Sequence, residues 1–269
     1  MQAYKDQAGR SVTLTNIPKR IISLVPSQTE LLFDLGLDEE VIGITKFCIH
    51  PAAWFYTKTR VGGTKSLHIK IIDELEPDLI IANKEENVKE QIEELAARYP
   101  VWISDVNNLE SACDMITKVG SITSRDVQAE ALIKKIKTNF FQISIPARKP
   151  LAAYLIWSDP YMTAGGDTFI HSMMEAAGLR NAFADQTRYP EISIEQLKKM
   201  NLDLVLLSSE PFPFKQKHVD EIRSGILNDA SRHPKIELVD GQMFSWYGSR
   251  LLYAPAYFEK LQSKFFASR

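Results

Sequence analysis

The feature that most constrains the fold is an alternation of short β-branched runs and helical segments, which occurs in both halves of the chain. In the first half, residues 20–25 form an apolar run that stops at Pro26, which has no N–H for a central ladder. A helical segment over 30–35 follows and closes at Gly36, and 41–45 is the next strand. Strand, helix and strand at this spacing predict a βαβ unit and a parallel sheet.

The second half repeats this plan. Residues 151–157 predict a strand, and 168–177 predict a helix that ends at Gly178, as the first-half helix ends at Gly36. A second correspondence sets residues 73–81 beside 197–206, because each runs from a helix through Asp-Leu into a strand. The predicted fold class is therefore α/β, with two lobes whose central sheets are mostly parallel.

A long helix is expected between the two halves. No strand signal occurs from Ser111 to about Ile145, and Leu132, Ile136 and Phe140 recur at four-residue steps until Pro146 ends the pattern. We therefore predict a single long backbone helix joining the lobes, with a ligand cleft between them. The predicted organisation is an N-terminal α/β lobe over 1–118, a linking helix over 119–146 and a C-terminal α/β lobe over 147–269.

Charge and hydrophobicity exclude several classes of protein. The chain has 32 lysines and arginines against 34 acids, a net charge of −2, which speaks against a nucleic-acid surface. With 45% hydrophobic residues the composition is that of an ordinary soluble protein, and no apolar run approaches the ~20 residues of a membrane span. The first ten residues are polar, so the sequence as given predicts no secretory leader.

Motifs for catalysis and for resident cofactors are missing. The sequence contains no phosphate-binding loop, no dinucleotide fingerprint, no paired-histidine zinc motif and no nucleophile elbow. These absences predict a chain that is not an enzyme and has neither an intrinsic cofactor nor a metal site. Cys48 and Cys113 are predicted as two buried thiols, although one disulfide between them stays formally open.

Aromatic and polar residues concentrate where the predicted strands end. They fall in four segments, 46–56, 157–161, 208–214 and 243–250. In an open parallel sheet the crevice lies beyond the carboxyl ends of the strands, so these segments are candidates to line it. Flat aromatic rings can bind a bulky ligand by stacking, with no reaction on it. Arg250 offers a planar guanidinium with paired donors for a ligand carboxylate, phosphate or amide.

Other stretches of the chain carry a family resemblance. Residues 20–30, RIISLVPSQTE, the turn RVGG at 60–63, EPDLI at 76–80, and AGG at 164–166 through GLRN at 178–181 resemble the substrate-binding proteins of the vitamin B12 and ferric-siderophore ABC importers. The resemblance spans about Arg20 to Leu261 and leans toward the cobalamin-binding branch. It implies a corrin, chelated iron or similar compound held between lobes that move little.

The resemblance also assigns roles to residues. Four aromatic residues are expected to stack on or cover the ligand, and these are Trp54, Trp157, Trp246 and Tyr247. Gly63 and Thr64 would offer backbone and hydroxyl contacts, Arg250 would set polarity, and His50, Glu85 and Glu210 are further lining residues. Family members present one exposed glutamate per lobe to their permease. Glu195 matches that position in the second lobe, whereas Lys70 stands at the first-lobe position.

The preferred hypothesis is a monomeric, non-enzymatic binding component of an ABC importer for a cobalamin-like or ferric-chelate ligand, with the permease as partner. Family members are periplasmic or lipid-anchored, so this compartment is expected, with the leader removed from the given sequence. The polar N-terminus and Lys70 leave open a cytoplasmic corrin or metal-chelate sensor or chaperone without a transport role. An enzyme that recruits a metal or cofactor in the same cleft is a third alternative.

Overall fold

The structure, a computed structural model, describes residues 1–227 and 233–266. The chain divides into two compact units. Unit 1 contains 1–106, 110–137 and 246–252, and unit 2 contains 107–109, 138–245 and 253–269. The short segment 246–252 therefore belongs to unit 1, although the residues on either side of it in the sequence belong to unit 2. The lobe boundaries given above, at 118 and 146, stay a prediction.

Unit 1 is built on a five-stranded parallel sheet. Its strands and helices are β1 Gln2–Lys5, β2 Ser11–Leu14, β3 Ile21–Ser23, α1 Pro26–Asp34, β4 Val41–Ile44, α2 Ala52–Thr57, β5 Thr59–Arg60, β6 Gly62–Gly63, β7 Ser66–Leu67, α3 Ile69–Leu75, β8 Leu79–Asn83, α4 Lys89–Ala96, β9 Val101–Ser104, α5 Leu109–Ile122 and α6 Asp126–Gln142. The first residue of α5 and the last turn of α6, from residue 138, belong to unit 2. The sheet order is β5-β4-β3-β8-β9, and every neighbouring pair is parallel. The predicted parallel sheet of the first half is confirmed.

Unit 2 carries a mixed, mostly parallel sheet. Its elements are β10 Leu151–Trp157, β11 Tyr161–Thr163, α7 Phe169–Ala176, β12 Arg180–Asn181, β13 Glu191–Ile192, α8 Ile194–Lys199, β14 Leu204–Ser208, α9 Gln216–Leu227, β15 Lys235–Val239, α10 Gln242–Ser245 and α11 Ala254–Phe266. β10 pairs in parallel with β12 and β14, and β14 with β15, whereas β11 and β13 add antiparallel strands. The α/β fold class is confirmed in this half as well.

Apolar burial explains why these strands are central. In unit 1, the β-branched and leucine side chains of β3 and β8 are fully buried, as in strands that are covered on both faces. In unit 2, β10 and β14 contribute Ala153, Leu155, Val205 and Leu207 to one apolar cluster with the inner face of α9. Each unit therefore has its own core.

The two helix ends that matched in the sequence also match in the structure. Gly36 and Gly178 both adopt positive φ, +80° and +72°. After each glycine the chain donates a hydrogen bond back across the last turn, from Leu37 N–H to Leu32 O at 3.1 Å and from Leu179 N–H to Met174 O at 2.9 Å. This left-handed closure favours glycine, and it directs the chain from the helix into the next strand.

The expected single helix between the halves is wrong in its continuity. The structure has two helices, α5 and α6, separated by residues 123–125, where Ser124 adopts a φ of +55°. Gly120 makes this turn possible, because a Cβ at that position would lie 2.5 Å from the Cβ of Ala129 on α6. The missing side chain lets the start of α6 pack directly on α5.

Two further expectations have structural outcomes. Cys48 and Cys113 are both buried and free, so the formally open disulfide is absent. Within the part of the chain that the structure describes, no helix is long and apolar enough to cross a bilayer.

Candidate functional site

The hairpin at 62–67 is determined by glycine. Gly62 has a φ of +105°, and a Cβ there would lie 2.4 Å from the carbonyl oxygen of Ser66. A Cβ on Gly63 would meet the exposed Phe47 ring at 3.1 Å. The two glycines thus bring Thr64 to the tip of a tight hairpin, where the Thr64 carbonyl accepts a hydrogen bond from the Asn87 side chain at 3.0 Å.

Glu85 lies in a turn that follows β8. The side-chain oxygen of Asn83 accepts hydrogen bonds from the backbone N–H groups of Glu85 and Glu86, at 2.8 and 3.0 Å, and Asn87 closes the turn by accepting from Asn83 N–H. Lys65 donates to the Glu85 carbonyl at 2.6 Å. The turn fixes the backbone of both glutamates at the carboxyl end of β8.

Segment 246–252 joins this edge of unit 1 through Tyr247. The Tyr247 side chain is 5% exposed, and its hydroxyl donates to Glu86 Oε1 at 3.2 Å. Burial, and then the adjacent Glu86 carboxylate, raise the pKa of Tyr247 well above its ordinary value, so this side chain stays a neutral donor. A predicted ligand-covering residue is therefore engaged within unit 1.

The same segment brings three predicted site residues together. The rings of His50 and Trp246 pack edge to face with centroids 5.7 Å apart. The guanidinium of Arg250 lies over the Trp246 ring at 5.1 Å. We call these three residues, His50, Trp246 and Arg250, the cation–aromatic group.

Arg250 is also paired with a carboxylate that the sequence did not single out as a site residue. Its Nε donates to Glu30 Oε2 at 3.0 Å and its terminal nitrogen donates to Glu30 Oε1 at 2.6 Å. The two side chains are only 14% and 13% exposed. Burial raises the pKa of Glu30, although the positive charge of Arg250 opposes that rise.

Trp54 has a different environment from the one expected. Its ring is 2% exposed, packs edge to face on Phe33 at 5.4 Å and lies under the Lys58 ammonium. Its Nε1 donates to Asp38 Oδ1 at 2.7 Å. The ring and the polar tip of Trp54 thus both have partners inside unit 1.

In unit 2 the predicted residues lie at the carboxyl ends of β10 and β14. Trp157, the last residue of β10, is 40% exposed and packs edge to face on Phe212 with centroids 5.7 Å apart. Glu210 follows β14, and its carboxylate accepts a hydrogen bond from the Ser245 hydroxyl at 2.6 Å. Phe212 in turn contacts Phe214 and His218, so an aromatic cluster supports the exposed tryptophan.

The two positions compared with permease-docking residues are both exposed. Glu195 lies in the first turn of α8, which begins with a capping box formed by Ser193 and Gln196. The Glu195 side chain is 69% exposed and pairs with Lys198 at 2.7 Å. Lys70 is exposed near the start of α3.

The positions of the His, Cys, Asp and Glu side chains bear on metal binding. Over residues 1–227 and 233–266, no group of three or more His, Cys, Asp and Glu side chains is placed to hold a metal ion.

Comparisons with known proteins agree with this architecture. A family profile described as periplasmic binding protein matches residues 21–228. The uncharacterized ABC transporter substrate-binding lipoprotein YvrC of Bacillus subtilis is 25% identical over 259 residues, covering 92% of this chain and 81% of that protein. The vitamin B12-binding protein of Yersinia pestis is 24% identical over 220 residues, covering 78% and 76%.

Solved structures share the fold. A periplasmic heme-binding protein from Pseudomonas aeruginosa superimposes with a TM-score of 0.78 at 20% sequence identity, and the match covers 93% of this chain and 94% of that one. At this identity the likeness concerns the fold alone.

Proposed function

The chain belongs to the periplasmic binding protein family and is a substrate-binding protein of the ABC-importer type; from this premise we propose that its ligand is a bulky metal chelate of the cobalamin or iron-chelate class. The family consists of binding proteins, and we propose that this chain likewise performs no reaction on its ligand. The relatives give no support to the alternative of a sensor or chaperone without a transport role. We propose the periplasmic face of a membrane as its compartment.

The observation that carries the proposal is the exposed ring of Trp157. The Trp157 side chain is 40% exposed at the carboxyl end of β10, on the side where the crevice of a parallel sheet lies, so its aromatic surface is available to a ligand. Phe212 and the cluster behind it hold the ring in place, which lowers the entropy lost when a flat ligand stacks on it. Such a surface suits a macrocycle better than a small polar solute.

The remaining predicted residues are assigned within each unit. In unit 1 we assign ligand contacts to His50, Gly63, Thr64, Glu85, Trp246 and Arg250, and in unit 2 to Trp157 and Glu210. Trp54 and Tyr247 are left out, because each is buried and its polar tip already donates a hydrogen bond inside unit 1. We give both a structural role.

Calorimetric titration with cyanocobalamin and with hemin tests the proposal. We expect saturable binding of at least one of them, and Trp157→Ala should weaken it by roughly 30-fold, because truncating a central aromatic anchor costs about 2 kcal/mol. Phe141→Ala removes another exposed ring of unit 2, 92% exposed on α6, and should leave the affinity unchanged. Absence of binding to both probes, or equal losses in the two variants, would contradict the proposal.

For the permease we propose that Glu195 is a docking residue. Glu195→Lys should lower uptake of the labelled ligand by cells roughly tenfold while the affinity for free ligand stays constant, because charge reversal at a rim position slows association. Glu175→Lys, on α7 and 58% exposed, is the matched control and should transport normally. If Lys70 replaces a docking acid, Lys70→Glu should raise uptake. Unchanged uptake by Glu195→Lys would remove the residue from this role.

A further inference from the structure

Glu30 and Arg250 form a two-point ion pair between positions 220 residues apart in the sequence. Both carboxylate oxygens of Glu30 accept from the guanidinium, in the fork geometry that carboxylates and arginine share. Glu30 lies on α1, directly after β3, and Arg250 lies in the 3-10 turn Ser249–Leu252. The pair thus anchors segment 246–252 to the edge of unit 1 where the predicted ligand residues lie.

The pair also determines the charge of the cation–aromatic group. Arg250 lies over the Trp246 ring, and that ring packs edge to face with His50. Without Glu30, the group would present a partly buried positive charge. With Glu30 bound, the guanidinium charge is compensated, and Asp34, which also acts on Glu30, adds negative potential on the same helix.

On the basis of the proposed function, we propose that Glu30 is a specificity-determining residue that selects ligands with uncharged amide substituents over ligands with carboxylates at the cation–aromatic group. The two bonds to Glu30 use two of the five N–H donors of the guanidinium. An amide oxygen of a ligand can accept from the remaining donors without disturbing the pair.

A ligand carboxylate meets a different situation. To form its own two-point contact, it must displace Glu30, whose side chain is only 13% exposed and would be left without its main partner. If it binds beside Glu30, the two negative charges repel each other. The attraction that a lone arginine would offer to an acid is therefore cancelled in this protein.

Two pairs of probes test this effect, since in each pair one member carries a neutral amide or ester where the other carries a carboxylate. They are cyanocobalamin with its monocarboxylic acid derivative, and hemin dimethyl ester with hemin. In Glu30→Gln we expect the affinity of the acid relative to its neutral partner to rise roughly tenfold, because the uncompensated guanidinium then binds the carboxylate. The wild-type protein should favour the neutral member of the pair it binds.

Two further variants separate charge from structure. Glu30→Gln/Arg250→Gln has a neutral pair in place of the ion pair and should return the acid-to-neutral ratio to the wild-type value. Glu40→Gln removes another paired carboxylate of unit 1, which binds Arg125 at 3.2 Å, and should leave the ratio unchanged. An unchanged ratio in Glu30→Gln, or a shift that persists in the double variant, would overturn the proposal.

A measurement without ligand distinguishes failure of the charge inference from failure of the proposed metal-chelate function. If the wild-type protein binds none of the four probes, the metal-chelate function is wrong, and quenching decides the charge inference. In a Trp157→Phe background, Glu30→Gln should raise the ratio of iodide to acrylamide quenching roughly twofold, because the freed charge beside Trp246 attracts the anion. Equal ratios with and without Glu30 would reject the inference.

Discussion

Gly248→Ala is expected to destabilise the protein by about 2–3 kcal/mol and to weaken ligand binding strongly. A Cβ at this position would lie 2.3 Å from the carbonyl oxygen of Ser27 and 3.2 Å from the Cβ of Leu31. Both contacts are on α1, and the nearer one is backbone, so no side chain can rotate to relieve it. Segment 246–252 must then move away from α1.

The loss of binding follows from the position of the segment. It carries Trp246, Tyr247 and Arg250, so one displaced backbone removes two proposed ligand contacts, those of Trp246 and Arg250, together with the Tyr247–Glu86 hydrogen bond. Urea unfolding and calorimetric titration with the probe that binds the wild-type protein measure the two effects. We expect the affinity loss in Gly248→Ala to exceed that of any single truncation in the segment.

Ser249→Ala is the matched control in the same segment. The Ser249 hydroxyl is fully buried and has no hydrogen-bond partner among the described residues, so replacing it by a methyl group should leave stability unchanged or slightly higher. Its ligand affinity should equal that of the wild-type protein. If both variants behave alike, close packing of segment 246–252 on α1 is not what holds the site.

Local sequence signals sufficed for much of the fold. The strand at 20–25 and the glycine closures at Gly36 and Gly178 depend on neighbouring residues, so periodicity and turn chemistry predict them. The break between α5 and α6 does not, because it requires Gly120 to meet Ala129, a contact that exists only once the chain folds back on itself. A pattern of apolar residues does not indicate where packing of this kind interrupts a helix.

The candidate site follows the same division. The sequence placed aromatic residues at strand ends, and the structure brings His50, Trp246 and Arg250 into contact. No sequence pattern indicates that Arg250 pairs with Glu30, because 220 residues separate them and Glu30 has the pattern of an ordinary helix position. Trp54 has the residue type of a stacking platform, but its Nε1 donates to Asp38, which lies in the turn between α1 and β4 and holds the ring within unit 1.

Arg250→Gln is the second substitution with a large expected effect, about 2 kcal/mol of lost stability at neutral pH. It leaves the Glu30 carboxylate with 13% exposure and without the guanidinium that forms its two charge-assisted hydrogen bonds. The surface pair Arg98–Asp73, with side chains 38% and 36% exposed, provides the comparison. Arg98→Gln should lose no more than about 1 kcal/mol, as exposed pairs do.

The pH dependence identifies the carboxylate as the cause. Burial already raises the pKa of Glu30 above its ordinary value of 4.5, and removing Arg250 takes away the charge that opposes this rise. A carboxyl with a raised folded-state pKa lowers stability where it is ionised in both states, and has no such effect below the unfolded pKa, where it is protonated in both. The pH-dependent part of the loss in Arg250→Gln should therefore be largest near neutral pH, shrink as the pH falls through the raised folded-state pKa, and be gone below 4.5.

Urea unfolding of wild type, Arg250→Gln and Glu30→Gln/Arg250→Gln across this pH range measures the effect. In the double variant the side chains can still hydrogen-bond, but neither is charged, so the pH-dependent part of the loss should disappear. A loss in Arg250→Gln that is constant with pH, or a double variant that keeps the pH dependence, would mean that Glu30 is not the group left uncompensated. In that case Glu30 would not be the group that compensates the charge of Arg250, and the predicted ligand selectivity of the cation–aromatic group would lose its basis.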